Sequence, residues 1–266
     1  MNVLFIGDIV GKPGRICLRD MLPKIRSNYE IDFVIANGEN AAGGVGITRK
    51  VFDELLSYGV DSVTSGNHIW DKKDVFEFID SQPTLLRPLN YPAKTSPGKG
   101  FGVYKTPKGP LGIINVSGTV FMPDLDSPYA LVDACVAEMR KQTACIIVDF
   151  HAETTSEKIS MGWYLDGRVS AVLGTHTHVQ TADERLLPEG TAYITDVGMT
   201  GAYNSVLGVK KDIVIKKFLT KLPTRFEVEN KPPYQFNGVV VRLDTNGGIA
   251  RSIERINDLH MTEEAY

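Results

Sequence analysis

The first part of the chain alternates short apolar runs with helical stretches, and this alternation constrains the fold more than any other feature of the sequence. Strands are predicted at Asn2–Ile6, Phe33–Ala36 and Ser62–Ser65. Helices are predicted after them at Pro13–Ser27, Thr48–Ser57 and Lys72–Ile79, with Thr48 and Asp71 as caps. A repeated strand-helix order requires helical crossovers between parallel strands. The sequence therefore predicts an α/β fold.

The rest of the chain adds strands in a less regular order. Further strands are predicted at Gly102–Lys105, Leu111–Val116, Cys145–Phe150, Ala171–Gly174 and Thr191–Thr195, and further helices at Tyr129–Lys141 and Lys158–Leu165. A C-terminal hairpin, Phe236–Asp244 with Ile249–Arg255, turns at Asn246-Gly247-Gly248. Because no repeat or long linker interrupts the chain, we expect one domain over 1–266. A small cap is expected from the Pro-rich segment Pro83–Pro110 or from Met199–Lys231.

Composition and charge exclude several classes of protein. The 266 residues are 42% hydrophobic, and the net charge of −3 excludes a broad basic surface for duplex nucleic acid. The sequence contains no run of 18 apolar residues, so we expect no membrane partner. The three cysteines, an odd number without a CxxC pair, and the absence of signal-peptide features predict a cytoplasmic location.

Residues capable of metal chemistry follow successive predicted strands. The set comprises Asp8, Glu39, Asn40, Asn67, His68, His151, His176 and His178. Parallel strands end at one edge of a sheet, where α/β proteins bind ligands, so these side chains are expected to converge. Each residue alone is more readily explained structurally, and His260 is expected to be a loop or packing residue. Their joint occurrence at the strand ends favours a functional site.

The composition of this set points to two metal ions. Eight nitrogen and oxygen donors exceed what one tetrahedral metal needs. Two metals about 3.5–4 Å apart hold a hydroxide between them and clamp a phosphoryl group. His176 and His178 are two residues apart, so on an extended segment both would point into the site, while Thr175 and Thr177 would point away and orient the segment.

Four motifs of the sequence resemble the calcineurin-like metallophosphoesterase superfamily. They are Gly7-Asp8, Gly66-Asn67-His68, the isolated His151 and Gly174-Thr175-His176-Thr177-His178. Two motifs depart from the usual pattern, since Val10 replaces a histidine and Gly38-Glu39-Asn40 replaces the GDxxD block. These departures are similar to one branch, the YmdB-type phosphodiesterases, and the similarity covers nearly the whole chain.

The resemblance implies a fold, an activity and a set of roles. The implied fold is an α/β/β/α sandwich of two mixed β-sheets flanked by helices. The first metal would be held by Asp8, Glu39, Asn40 and His178, and the second by Glu39, Asn67, His151 and His176. Glu39 would bridge the metals, and His68 would protonate the leaving oxygen as general acid. The implied metals are iron or manganese, the substrates small phosphodiesters including 2′,3′-cyclic nucleotides, and the assembly a homo-oligomer.

Several alternatives stay open at this point. Asp71 is expected to cap its helix or to orient His68, and Lys12 with Arg15 form an anion site or simply a solvated helix start. The same metal site would serve a phosphomonoesterase or protein phosphatase, but the motif loops contain few Arg or Lys residues, which favours a diester. A regulatory RNA-associated binding protein with a vestigial metal site is the third alternative. It is disfavoured because every ligand position is filled.

Overall fold

Two β-sheets stack face to face in the computed structural model, which describes residues 1–261. The first sheet contains β1 (Asn2–Ile6), β2 (Asp8–Ile9), β3 (Phe33–Asn37), β4 (Ser62–Thr64), β11 (Met199–Ala202), β12 (Tyr234–Leu243) and β13 (Ala250–His260). The second contains β5 (Phe101–Thr106), β6 (Gly109–Ser117), β7 (Cys145–His151), β8 (Ala171–Thr175), β9 (Arg185–Leu186) and β10 (Ala192–Ile194). Strand order is β2-β11-β12-β1-β3-β4, with β13 on β12, in the first sheet and β5-β6-β7-β8-β10-β9 in the second.

Helices cover the outer face of each sheet. On the first sheet lie α1 (Gly11–Asn28), α2 (Arg49–Ser57) and α3 (Val75–Phe78), and on the second lie α4 (Pro128–Met139) and α5 (Thr155–Leu165). A further helix, α6 (Lys211–Thr220), lies in the segment that joins β11 to β12. The predicted α/β/β/α fold is therefore confirmed. Among the described helices, none has the length and apolar character needed to cross a membrane.

Alternation along the strands builds the layers. In β1, Val3 and Phe5 pack into the core between the sheets, whereas Leu4 and Ile6 pack under the helices of the first sheet. Successive side chains of a strand point to opposite faces, so a continuous apolar run can fill two cores at once. The apolar runs that predicted buried strands owe their composition to this double burial.

The direction of the strands positions the site. β1, β3 and β4 are parallel to one another, as are β6, β7, β8 and β10. Their carboxyl ends, with the loops that follow, meet at one edge of the sandwich, where side chains from both sheets come into contact.

Among the predicted strands, β13 differs most in length: the prediction is Ile249–Arg255, and the strand spans Ala250–His260. The other predicted strands and helices agree within three residues, with one exception. The helix predicted over Lys72–Ile79 is wrong: α3 spans only Val75–Phe78, and a 3₁₀ turn follows over Ile79–Ser81. Asp71 does not cap it: α3 begins after Asp74, and the Asp71 carboxylate lies 2.7 Å from His68 Nδ1 instead.

Residues 203–233 form an excursion between β11 and β12, and we call them the 203–233 segment. The segment doubles back on itself through bridges between Val206, Val209 and Val228. Val228 packs against the backbone of Gly11 and Gly44, so the segment lies over the start of α1 and over the loop after β3. Sequence reasoning found neither α6 nor the short strands β2, β9 and β11.

The glycine of the Gly174-Thr175-His176-Thr177-His178 motif is required by packing. A Cβ on Gly174 would lie 1.8 Å from the carbonyl oxygen of Thr195, at the end of the neighbouring strand β10. We expect Gly174→Ala to lower the free energy of unfolding by about 3 kcal/mol or more, because the two strands must move apart. Chemical denaturation measures the change. Gly247→Ala is the control, since its Cβ would meet nothing closer than 3.8 Å, and equal stability of the two variants would contradict the packing argument.

Candidate metal centre

The predicted site residues meet at the edge where the parallel strands end. Asp8 lies on β2 directly after β1, Glu39 and Asn40 follow β3, and Asn67 and His68 follow β4. From the second sheet, His151 ends β7, and His176 and His178 follow β8. Asp8, Glu39 and His151 are fully buried, so water cannot offset the cost of bringing these polar groups together.

Two groups of donor atoms share one carboxylate. Donor atoms of Glu39, His151 and His176 all lie within 4.8 Å of one another, and so do those of Asp8, Glu39 and His178. Glu39 belongs to both groups. One carboxylate shared between two clusters of donors is an arrangement that can hold two neighbouring metal ions.

The tautomer of His151 follows from a buried hydrogen-bond chain. The hydroxyl of Thr175 donates to Asp149 Oδ1 over 2.7 Å. The same hydroxyl oxygen lies 2.9 Å from His151 Nδ1 and must therefore accept the Nδ1 hydrogen. The lone pair of His151 Nε2 then points into the site, toward Glu39 Oε1 at 3.2 Å and Asn67 Oδ1 at 3.1 Å.

The other two histidines are held by acceptors in the same way. His176 places Nε2 2.9 Å from the Glu153 carboxylate, which leaves the lone pair on Nδ1. His178 places Nδ1 3.2 Å from the carbonyl oxygen of Leu207, which leaves the lone pair on Nε2. A partner on the far ring nitrogen is the usual means by which a protein orients a metal-binding imidazole.

This donor set fits metal ions. His151 Nε2 and His176 Nδ1 lie 3.1 Å apart with lone pairs facing each other, a contact that only a shared cation or proton makes favourable. Asp8 Oδ1 is buried without a hydrogen-bond donor, and burial raises the pKa of this carboxyl to about 6. Imidazole nitrogens combined with carboxylate and amide oxygens suit iron, manganese or zinc.

A close approach of the backbone supports the same interpretation. A Cβ on Gly66 would lie 2.1 Å from His151 Nε2 and 2.3 Å from Glu39 Oε2. The glycine of Gly66-Asn67-His68 thus leaves open the space between the donors of two different sheets. Burial disfavours a charged His151, but Glu39 and Asp8 outweigh this effect and raise the pKa of its imidazole, whereas burial and the charge of His151 lower the pKa of His176 to about 3.

The two asparagines lie at the margins of the donor groups. The amide nitrogen of Asn40 lies 3.1 Å from Glu39 Oε1 and 3.1 Å from His178 Nε2, and Asn67 directs its amide oxygen at His151. Asn40 occupies the side of the site near Val10, which stands where the superfamily pattern has a histidine. A neutral amide there leaves the Asp8 side of the site rich in oxygen.

His68 stands apart from both donor groups. Its backbone N–H donates to Glu39 Oε2 over 3.1 Å, and its ring Nδ1 lies 2.7 Å from Asp71 Oδ2. The side chain is 36% exposed and lines the cleft above the site. Asp71 therefore orients His68, which is the second of the two roles considered for it.

A cleft of about 550 Å³ opens over the donor groups. Apolar side chains that line it are Val10 and Val45 and, from the 203–233 segment, Leu207, Val209, Phe226 and Val228. Among the described residues that line this cleft, none is Arg or Lys.

One local expectation is wrong. His176 and His178 do not lie on an extended segment, because their φ angles are 100° and 63°, in the left-handed region. Both side chains reach the site because Asp196 anchors the backbone between them, accepting from Thr177 N at 3.0 Å and from Thr177 Oγ1 at 2.7 Å. The threonines do orient the segment as expected. His260 lies elsewhere and contacts Asp20.

Sequence reasoning missed a buried polar layer beneath the donors. Asn37 donates to Asp149 Oδ2 over 3.1 Å and accepts from the Glu39 backbone N–H at 3.1 Å, which ties the ends of β3 and β7 together. The available signal was a polar residue inside a continuous apolar run: Asn37 ends β3, and Asp149 interrupts β7.

Comparison with known proteins identifies the family. The family model described as YmdB-like protein matches residues 4–256. The chain belongs to the YmdB-like family. It is 52% identical over 264 residues to a 2′,3′-cyclic-nucleotide 2′-phosphodiesterase of Bacillus subtilis, an alignment that covers 98% of this chain and 99% of the relative.

Solved structures agree with this assignment. A hypothetical protein from Thermus thermophilus is 42% identical with a TM-score of 0.91, covering 98% of this chain and 100% of that chain. A phosphatase from Mycoplasma pneumoniae is 36% identical with a TM-score of 0.91, covering 97% and 93%. The predicted family and the predicted enzyme class, a phosphoesterase hydrolase, are therefore confirmed.

A buried ion pair supports the histidine segment of this YmdB-like protein. Lys158 Nζ lies 2.7 Å from Asp196 Oδ2, and the two side chains are 1% and 0% exposed. Asp196 also accepts from the Gly198 backbone N–H at 2.7 Å. The buried Asp196 carboxylate thus contacts three parts of the chain: α5, the segment after β8 and the loop after β10.

We expect Lys158→Met to lower the free energy of unfolding by about 3–5 kcal/mol, because it leaves the Asp196 carboxylate buried without its cation. Lys141→Met is the matched control, since that lysine pairs with Glu138 on the surface and is 70% exposed. Its effect should stay below about 1 kcal/mol. Urea denaturation of both variants measures the difference, and equal losses would argue against a supporting role for the buried pair.

Proposed function

We propose that this YmdB-like protein is a metal-dependent phosphodiesterase that hydrolyses small phosphodiesters such as 2′,3′-cyclic nucleotides. The observation that carries the proposal is the pair of donor groups sharing Glu39 at the base of the cleft, with His68 beside them. The name of the Bacillus subtilis relative supports the choice of substrate, because the two chains align over nearly their full lengths.

We assign two metal ions, iron or manganese, to the two donor groups. Asp8, Glu39, Asn40 and His178 would hold the first, and Glu39, Asn67, His151 and His176 the second, with Glu39 shared. When bound, such metals activate water as a nucleophile and offset the negative charge of the phosphoryl oxygens. Asn40 would present its amide oxygen after a half-turn of the amide group.

The chain's own contribution to bond cleavage is the acid pair His68 and Asp71. Asp71 accepts the Nδ1 hydrogen of His68 and so orients the ring with Nε2 free to act on the substrate. His68 Nε2 then carries the proton that passes to the departing ester oxygen. The backbone bond from His68 to Glu39 keeps the acid at a fixed position relative to the donor groups.

The cleft favours a diester over a monoester. A phosphomonoester dianion calls for additional cationic side chains, and none lines the described part of the cleft. The apolar side chains that line the cleft suit a nucleoside. Both features support a phosphodiester monoanion attached to a base.

Three further assignments accompany this function. We place the catalytic unit in one domain over 1–266, with the 203–233 segment as its cap. The three buried free cysteines support a reducing, cytoplasmic location. Phe218 and Leu219, exposed by 68% and 80% on α6, support a homo-oligomer.

The shared carboxylate gives the first test of the proposal. We expect the wild type, loaded with manganese or iron, to hold two metals per chain and to prefer bis-p-nitrophenyl phosphate to p-nitrophenyl phosphate. Glu39→Gln should hold at most one metal and lose at least about a hundredfold in diester turnover, because one charge and one bridge are removed. Elemental analysis and the two assays measure this.

Glu138→Gln, a surface change on α4, is the control and should match the wild type. Full metal content and activity in Glu39→Gln would contradict the assigned role. Preference for the monoester would favour a phosphomonoesterase on the same site.

The acid role of His68 is tested separately from metal binding. His68→Ala should keep both metals and lose about 10²–10⁴ in kcat on 2′,3′-cyclic nucleotides. The loss should shrink on bis-p-nitrophenyl phosphate, whose leaving group needs little protonation. His260→Ala is the histidine control, and loss of a metal from His68→Ala would instead make His68 a ligand.

A further inference from the structure

A second cavity, of about 540 Å³, lies beside the cleft, and the function proposed above does not use it. Its lining includes the cationic side chains of Lys12, Arg15, Lys210 and Arg225 and the carboxylate of Glu227. Among the described residues that line it, four side chains are cationic and one is a carboxylate. The cleft over the donor groups has the opposite character, with histidines and carboxylates and no lysine or arginine among its described lining residues.

The two cavities share a wall. Gly43, Phe226, Glu227 and Val228 line both. Phe226 is 47% exposed at this boundary, and the ammonium of Lys217 lies 4.4 Å from the centre of its ring. A ligand that extends from the cleft past Phe226 would enter the basic cavity.

The cations of the cavity are of two kinds. Lys210 pairs with Glu227 over 2.7 Å, and Arg15 contacts Glu54 at 3.0 Å and the Ala41 carbonyl at 2.6 Å, so these two are held in place by the protein. Arg225 is an exposed side chain, accessible to a ligand from solvent. Together the cations make the cavity a site for an anionic group rather than for a metal or an apolar group.

We propose that this cavity binds a phosphate of the substrate other than the one that is cleaved, so that the preferred substrate is a short single-stranded oligoribonucleotide ending in a 2′,3′-cyclic phosphate. The inference rests on the proposed function. An exposed aromatic ring between two phosphate positions is the arrangement by which proteins bind single strands, with a base stacked on the ring and the backbone following the cations. The net charge of −3 is compatible with this, because the basic surface is confined to one cavity.

The test compares two substrates with the same reacting end. One is a nucleoside 2′,3′-cyclic monophosphate, and the other is a trinucleotide that ends in the same cyclic phosphate. We expect the metal-loaded wild type to show kcat/KM at least about tenfold higher on the trinucleotide, the effect of one charge-assisted phosphate contact. Arg225→Ala should remove most of this preference, and added salt should reduce it. Lys216→Ala, an exposed lysine of α6 outside the cavity, should retain it.

A binding measurement separates this inference from the proposed function. Calorimetry of a trinucleotide 3′-phosphate and of a nucleoside 3′-monophosphate requires no turnover. We expect the trinucleotide to bind the wild type and Lys216→Ala equally, and Arg225→Ala at least about fivefold more weakly.

Each outcome has one meaning. Equal kcat/KM on both substrates, or a preference unchanged in Arg225→Ala, would overturn the second phosphate site and leave the phosphodiesterase intact. Hydrolysis of neither substrate would overturn the proposed function. In that case the calorimetric comparison decides the inference by itself: weaker binding to Arg225→Ala supports the site, and equal binding overturns it.

Discussion

The rest of the structure depends on one close contact, in which nitrogen and oxygen atoms with lone pairs face one another and none of them carries a hydrogen to donate. His151 Nε2 and His176 Nδ1 face each other at 3.1 Å, beside the Glu39 carboxylate and the unpartnered Asp8 Oδ1. Such a cluster is unfavourable unless positive charge sits within it. The surrounding chain prevents it from dispersing, since each histidine has its other ring nitrogen bound to an acceptor. The tautomers are thus fixed by the fold, before any metal is considered.

Residues from both sheets position these donor atoms. Holding them there requires buried polar groups beneath the site, and burying such groups costs free energy. Asn37 and Asp149 join β3 to β7 in a fully buried polar layer, and the Lys158–Asp196 pair anchors the segment after β8. Buried polar groups of this kind are expensive unless all their bonds are made. Here they hold backbones at spacings that a helix or strand alone would not give, including the left-handed φ angles of His176 and His178. These buried polar groups therefore fix the positions of the donors at the expense of the stability of the fold.

Short-range patterns in the sequence predicted the α/β class and the residues that meet, whereas the sandwich of two sheets was implied by the family resemblance. Apolar runs set the strands, and parallel strands bring Asp8, Glu39 and His151 to one edge whatever the details of the loops. What sequence reasoning missed depends on contacts between distant parts of the chain. The helix predicted over Lys72–Ile79 is shortened where Asp71 contacts His68. The strand β11 pairs with β12 more than thirty residues later, and α6 lies in an excursion whose place over the cleft no local pattern encodes.

The 203–233 segment also decides what the site can admit. Its residues contribute Leu207, Val209 and Val228 to the wall of the cleft, and the Leu207 carbonyl fixes the ring of His178. The same segment carries Lys210 and Arg225 into the neighbouring cavity. One excursion from the sheet thus touches a donor of the metal centre, the apolar wall and the basic cavity. A change in this segment away from Leu207 can alter substrate choice without altering the donors, which lie on strands or in the loops that directly follow them. A phosphoesterase scaffold can acquire a new substrate by this route.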